Sequence, residues 1–293
     1  MAQASALAPF ASSPAAPLEL GLCAGDGVTL ALRCWGERGN PPLLFTHGFG
    51  QTQQAWSGTA RQLANVGFHC ITADARGHGA SDWRHDGNYS IDQFVADLVD
   101  AARFAGQHSV LVGASLGGLV GLLAEATHAP LFRAMILVDI TPRWESAGVE
   151  RILDFMRAHP EGFASLEQAA QAISTYLPHR QERKSPERLR SMLVEQADGR
   201  YRWHWDPRLL QRIAENGERH QARLIEAARN IRIPTLLLSG SESDVVSQST
   251  INEFLTLVPQ ALHRVVPRAT HMVAGDRNEA FTAAVLEFVR NLA

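Results

Sequence analysis

Residues Gly113-Ala114-Ser115-Leu116-Gly117 set a serine between two glycines, each two positions away. An apolar run at 108–112 precedes them, and a small-residue helical stretch at 119–126 follows. Strand, sharp turn and helix in that order lift a serine hydroxyl clear of the backbone, where it can attack a carbonyl. A Cβ at position 113 or 117 would collide with the neighbouring strand or helix, so the turn calls for glycine. The helix that opens at the serine points its unpaired N–H groups and positive dipole end at a developing oxyanion. The chemistry such a pattern could carry is acyl transfer through a covalent serine adduct.

A serine hydroxyl is a weak nucleophile. It needs a base, and the base needs an orienting acid. In this context the acid and then a histidine follow the serine, each in a loop after a late strand. His271 lies just beyond the last expected strand, in Arg268-Ala269-Thr270-His271-Met272. Asp244 follows the strand before it, in Ser239-Gly240-Ser241-Glu242-Ser243-Asp244, and is the favoured acid. Glu242 shares that loop. Asp139 ends the strand after the elbow helix and is the alternative acid; its plainer role would be a turn or capping carboxylate ahead of Pro142. Two backbone donors are needed for the oxyanion. They are expected from Leu116 N–H and from Phe49 N–H in His47-Gly48-Phe49-Gly50, each worth about 3–4 kcal/mol in the transition state. His47 is read as shaping that loop. His78, in Arg76-Gly77-His78-Gly79, is read as fixing a loop beside the site.

The elements that must hold these groups alternate β and α. Strands are expected at 18–22, 28–35, 43–46, 68–72, 108–112, 134–138, 235–238 and 262–266. Capping boxes at Ser90-x-x-Gln93 and Asp276-x-x-Glu279 open helices with one apolar face each. The alternation predicts an α/β fold: a mostly parallel eight-stranded sheet with helices on both faces and reactive loops at the carboxyl ends of the strands. Between 142 and 230 no strand is expected. Ser165-x-x-Gln168, Ser185-Pro186 and Asp206-Pro207 read as helix starts instead. The expected organisation is a flexible tail at 1–17, a core at 18–141 and 231–293, and a helical cap inserted at 142–230. Trp144, Phe155, Trp203 and Trp205 of the insertion are candidates to line an apolar pocket.

Composition narrows the partners. The chain has 293 residues, 45% of them hydrophobic and 19% charged, which suits a globular protein of one large α/β domain or two small ones. A net charge of −3 without any basic run points away from nucleic acid and anionic membranes. Cys23, Cys34 and Cys70 form no disulfide framework, so free thiols in a cytoplasmic protein are expected. No apolar stretch is long enough to span a bilayer, and the first residues lack the marks of a signal peptide. No histidine spacing implies a metal, and no cofactor is expected. Nothing in the pattern speaks to oligomeric state.

Several motifs occur in a familiar order. They are His47-Gly48-Phe49-Gly50, Asp74-Ala75-Arg76-Gly77-His78-Gly79-Ala80-Ser81-Asp82, the Ser115 elbow, Ser243-Asp244-Val245-Val246 and His271-Met272-Val273-Ala274-Gly275-Asp276. Together they resemble the α/β-hydrolase superfamily, from about Leu18 to the C-terminus. The resemblance implies that the insertion is a cap domain. It implies a carboxylesterase-like serine hydrolase acting on a small or medium apolar ester or related acyl compound. Serine at 115 departs from the epoxide-hydrolase and haloalkane-dehalogenase branches, which carry aspartate there. A C–C bond hydrolase or a cofactor-free perhydrolase on the same triad is the alternative. A non-catalytic ligand receptor on the same scaffold stands behind both.

Overall fold

Residues 110–114 send Leu111 into one apolar core and Val110 and Val112 into another. Their neighbours divide the same way: Met135 and Leu137 against Ala134, Ile136 and Val138, and Leu237 against Leu236 and Leu238. A strand buried on both faces reads as a continuous apolar run and belongs at the centre of a parallel sheet. The computed structural model describes residues 16–176, 189–190, 192–210 and 217–292 and has that architecture. The strands are β1 (Leu18–Cys23), β2 (Thr29–Trp35), β3 (Pro42–Thr46), β4 (His69–Ala73), β5 (Val110–Ala114), β6 (Ala134–Val138), β7 (Leu193–Glu195), β8 (Tyr201–Trp203), β9 (Thr235–Gly240) and β10 (Leu262–Val266). Eight of them form one sheet in the order β1-β2-β4-β3-β5-β6-β9-β10. β2 runs antiparallel to both its neighbours, and the other pairings are parallel.

Helices cover both faces. α1 (Ser57–Ala64) closes one of them. α2 (Ile91–Ala105) and α3 (Leu116–His128) lie on the other. The insertion after β6 holds α4 (Ser146–Arg157) and α5 (Leu166–Tyr176). Then come α6 (Gly217–Asn230), α7 (Gln248–Leu257), the single turn α8 (Val273–Asp276) and α9 (Asn278–Arg290). α6 and α7 join α2 and α3, and α9 joins α1. Among the described residues no helix is long and apolar enough to cross a membrane.

Local signals explain some of the helix starts. Ser90 and Gln93 cap α2 reciprocally, and Ser165 Oγ accepts from Gln168 N–H at 3.2 Å. The helix start expected at Ser185-Pro186, and residues 1–15 of the expected tail, lie outside the described residues. Asp276 does not cap the last helix. Its Oδ2 accepts from the Thr270 N–H at 3.0 Å and the Thr270 hydroxyl at 2.6 Å, which ties down the loop around His271.

The insertion departs from expectation twice. It contains a β7–β8 hairpin, which with α5 encloses a small core of Phe163, Leu166, Ala169, Leu189 and Leu193. Strands of three residues are too short to show alternation. The usable signal was Asp198-Gly199, where Gly199 adopts φ +76° in the turn. In addition, α6 lies within the expected cap but packs Leu224, Ala227 and Ala228 into the main core. That helix belongs with the sheet.

Register brings the strand ends level. Ala114 pairs with Val138, Val138 with Leu238, and Val266 with Gly240. The first residues past β5 and β6 are Ser115 and Asp139. The elbow glycines have no room for a side chain. A Cβ on Gly113 would stand 2.8 Å from Gly118 Cα, and one on Gly117 would stand 2.7 Å from the Thr46 carbonyl. Both obstacles are backbone. Gly113→Ala is therefore expected to lower unfolding free energy by about 2–3 kcal/mol, read by urea denaturation. Gly39→Ala meets nothing within 4 Å and should change it by less than about 0.5 kcal/mol. Equal effects at the two sites would contradict the packing.

Candidate active site

Two residues at the strand ends have left-handed backbone. Ser115 has φ 45° and ψ −118°, and Asp139 has φ 50°. Such backbone costs on the order of 1–3 kcal/mol in a non-glycine residue and persists only where surrounding contacts hold it. At Ser115 the holding contacts are Ser115 N–H to the Val138 carbonyl at 3.2 Å, and the Gly118 and Leu119 N–H groups on the Ser115 carbonyl. At Asp139 the backbone N–H reaches the Leu238 carbonyl at 2.7 Å.

The Asp139 carboxylate is fully buried and bonded on every side. Oδ1 accepts the Gly240 N–H at 2.8 Å. Oδ2 accepts the Ser243 hydroxyl at 2.6 Å and meets His271 Nδ1 at 2.8 Å. A carboxylate only accepts, so the proton sits on His271 Nδ1 and Nε2 is left as a bare base. Among the described residues no hydrogen bond yet joins the Ser115 hydroxyl to His271. In ligand-free sites that bond is often long and tightens when substrate binds.

Asp244 is elsewhere. It pairs with Arg151 of α4 and is one-third exposed. The cause is local. Ser243 Oγ accepts the Val245 and Val246 N–H groups at 3.2 and 3.1 Å, a tight turn that carries Ser243 inward to Asp139 and Asp244 outward to the insertion. Glu242 is exposed. The geometry thus corrects the preference for Asp244 as the partner of His271; the carboxylate there is Asp139. Ser243, which sequence reasoning passed over, is the second support of that carboxylate. A serine whose hydroxyl can take the amides two and three residues on was the signal.

A Cβ on Gly48 would lie 3.0 Å from Ser115 Cβ and 3.8 Å from its Oγ, so the 47–50 loop runs directly against the hydroxyl. Neither Phe49 N–H nor Leu116 N–H donates a hydrogen bond among the described residues. The 74–82 loop behind them is rigidly built. Asp74 accepts from the Gln53 N–H at 2.7 Å, the Gln53 side-chain amide at 3.0 Å and the Ala80 N–H at 3.1 Å. Arg76 is buried, which opposes its charge. Bonds to Asp97 at 2.6 Å and to Asp26 at 2.9 Å outweigh that and keep it protonated.

The aromatic candidates separate into two groups. Trp205 is buried against Phe49 with ring centroids 5.5 Å apart, so it supports the loop from behind. Phe155 stacks on Tyr176 at 4.2 Å and meets Trp203 edge-on at 5.9 Å. Trp144, Phe155 and Trp203 are half-buried beside the main core. Tyr176 was not singled out from sequence. Among the described residues no three His, Cys, Asp or Glu side chains gather as a metal site would need.

Residues 41–277 match the family model of the alpha/beta hydrolase fold, and the chain belongs to that family. It is a hydrolase of the alpha/beta class. It is 28% identical to a 2-(acetamidomethylene)succinate hydrolase of Mesorhizobium japonicum over 89% of this chain and 92% of that one. It is 28% identical to an esterase of Mycobacterium tuberculosis over 91% and 86%. With an sn-1-specific diacylglycerol lipase of Mus musculus it shares 26% over 85% and 81%. Among solved structures, E-2-(acetamidomethylene)succinate hydrolase superposes with a TM-score of 0.81 at 24% identity, covering 94% of this chain and 99% of that one. The thioesterase domain from the curacin biosynthetic pathway gives 0.76 at 22%, covering 93% and 100%.

The two aspartates make a direct test. Asp139→Asn turns an acceptor toward the wrong imidazole tautomer and should lower kcat on an activated ester by about 10³–10⁴-fold. Asp244→Asn should change kcat by less than about fivefold, since it loses only a partly exposed ion pair. The reverse ranking would restore Asp244.

Proposed function

We propose that the protein is a serine hydrolase that cleaves small or medium apolar carboxylic esters through an acyl-enzyme. The observation that carries this reading is the bond from His271 Nδ1 to a buried, fully bonded carboxylate, at 2.8 Å. It leaves Nε2 without the proton, able to act as the base toward Ser115. Ser115 Oγ attacks the carbonyl carbon while His271 Nε2 takes its proton. Asp139 holds the ring and stabilises the imidazolium. Phe49 and Leu116 N–H groups receive the oxyanion. The proton on Nε2 then passes to the leaving alcohol. Water, activated by the same nitrogen, releases the acid and restores Ser115.

The half-buried aromatics of the insertion support an apolar acyl or alcohol group. Pockets of this kind are lined mainly by aromatic and aliphatic side chains. The esterase and lipase among the relatives are compatible with that substrate class. In this reading the α4–β8 part of the insertion acts as the cap over the site.

The test is a panel of p-nitrophenyl esters of increasing acyl length, run on wild type and on Ser115→Ala. Wild type should turn over the panel, and a fluorophosphonate should add its mass to Ser115. Ser115→Ala should keep its fold by circular dichroism and lose about 10⁴-fold or more in kcat. Wild-type rates in that variant would sink the proposal.

A further inference from the structure

Three imidazoles stand in a row behind the Phe49 loop. The ring centroids of His47 and His78 are 5.1 Å apart, and those of His78 and His204 are 6.3 Å apart. All three residues are buried. Their backbone partners assign their tautomers. His47 Nδ1–H donates to the Gly48 carbonyl at 2.8 Å, and its Nε2 accepts the Ala75 N–H at 2.9 Å. His78 Nδ1–H donates to the Arg76 carbonyl at 3.1 Å, and its Nε2 accepts the Gly50 N–H at 3.2 Å. His204 Nδ1 accepts the Gly79 N–H at 3.1 Å, sharing it with the His204 backbone carbonyl at 3.1 Å, which puts the ring proton on Nε2. That Nε2 is buried with no acceptor at hydrogen-bond distance, although the Gly50 backbone is near enough to favour the charged ring.

His47 and His78 each tie residues 48–50 to residues 75–76, and His204 ties the segment after β8 to Gly79. Phe49 lies between two groups so held, the Gly48 carbonyl and the Gly50 N–H. Its ring also stands edge-on to His78 at 5.5 Å. We propose that His47, His78 and His204 are positioning residues, a ladder of neutral imidazoles that fixes the Phe49 amide and couples it to the segment by which the insertion returns to the sheet. The inference rests on the serine-hydrolase reading for what that amide does.

Each ring presents one bare nitrogen to a backbone N–H. A proton on that nitrogen would set N–H against N–H and open the rung. Burial disfavours the charged form of all three, and it holds His204 down to about 4. Among the described residues the titratable groups that face the ladder are Asp74 and the imidazoles themselves. Asp74 Oδ1, 4.0 Å from His47 Nε2, favours charge on His47 and His204. The rings disfavour charge on one another. Arg76 turns its guanidinium away to Asp26 and Asp97. From pH 6.5 down to about 4 the unfolded chain binds a proton that native His204 refuses, so stability falls as pH drops through that window.

Side-chain amides test each rung by reach. A glutamine oxygen stands where Nε2 was, and an asparagine oxygen where Nδ1 was. At position 78 the needed acceptor is Nε2. His78→Asn should therefore lower kcat by about 100-fold with KM within about threefold, and His78→Gln should recover most of the loss. At position 204 the needed acceptor is Nδ1, so the order reverses: His204→Asn should recover what His204→Gln loses. Phosphonylation of Ser115 should slow in step with kcat. Amides that behave alike at either position, or losses confined to KM or Tm, would overturn the ladder. If wild type itself failed to react at Ser115, the hydrolase reading would fall instead. Ring 15N shifts judge the ladder separately. At neutral pH they should show rings protonated on Nδ1 of His47 and His78 and on Nε2 of His204. A ring of this set that titrates near 6.5 contradicts it.

Discussion

A carboxylate sealed from water at the end of β6 is the constraint from which the site follows. An ionised group without solvent must be hydrogen-bonded on all sides or it gives up its charge. Asp139 meets that demand with one backbone amide, one hydroxyl and one imidazole, drawn from two separate stretches of chain. Gly240 ends β9, Ser243 lies in the loop that follows, and His271 lies beyond β10. Holding Asp139 therefore fixes the order and level of β6, β9 and the last loop at once. It also fixes which imidazole nitrogen is bare. The same contact thus bears on packing and, in the proposed function, on the base.

The nucleophile side is built by a different means. There the backbone bends sharply at Ser115, and the glycines on either side let β5, α3 and the β3 end crowd together without side chains between them. The strain at Ser115 is held by hydrogen bonds to the neighbouring strand and helix. The loop that carries Phe49 is positioned by buried imidazoles and by Trp205 behind it. Rigid elements therefore surround every group to which a role is proposed. The half-exposed part is the insertion, where Arg151 of α4 meets Asp244.

Sequence was most informative where geometry is local. The strand–turn–helix at Ser115, the capping box of α2 and the buried runs of β5, β6 and β9 each leave a short-range pattern of residue type. The eight-stranded, mostly parallel sheet follows from those runs. The acid was harder to read because two aspartates follow late strands, and nothing in spacing says which loop residue faces inward. The Ser243 turn decides that, and its hydroxyl bonds are visible only in three dimensions. The β7–β8 hairpin was missed because strands of three residues show no alternation. The three-imidazole row was out of reach for the same reason as the acid: His47, His78 and His204 come from distant stretches and meet only when the sheet is closed. His47 and His78 could be read singly as loop residues, and His204 stood out only for its place between Trp203 and Trp205.

The central claim is that Ser115, Asp139 and His271 form one site with the amides of Phe49 and Leu116. A crystal structure of the protein after reaction with an alkyl fluorophosphonate tests it most directly. Phosphorus should be bonded to Ser115 Oγ, with the phosphoryl oxygen within hydrogen-bond distance of both amides. His271 should keep Nδ1 on Asp139 and turn Nε2 toward the adduct. Phosphorus on another residue, or a His271 ring bonded to Asp244 in the adduct, would contradict it.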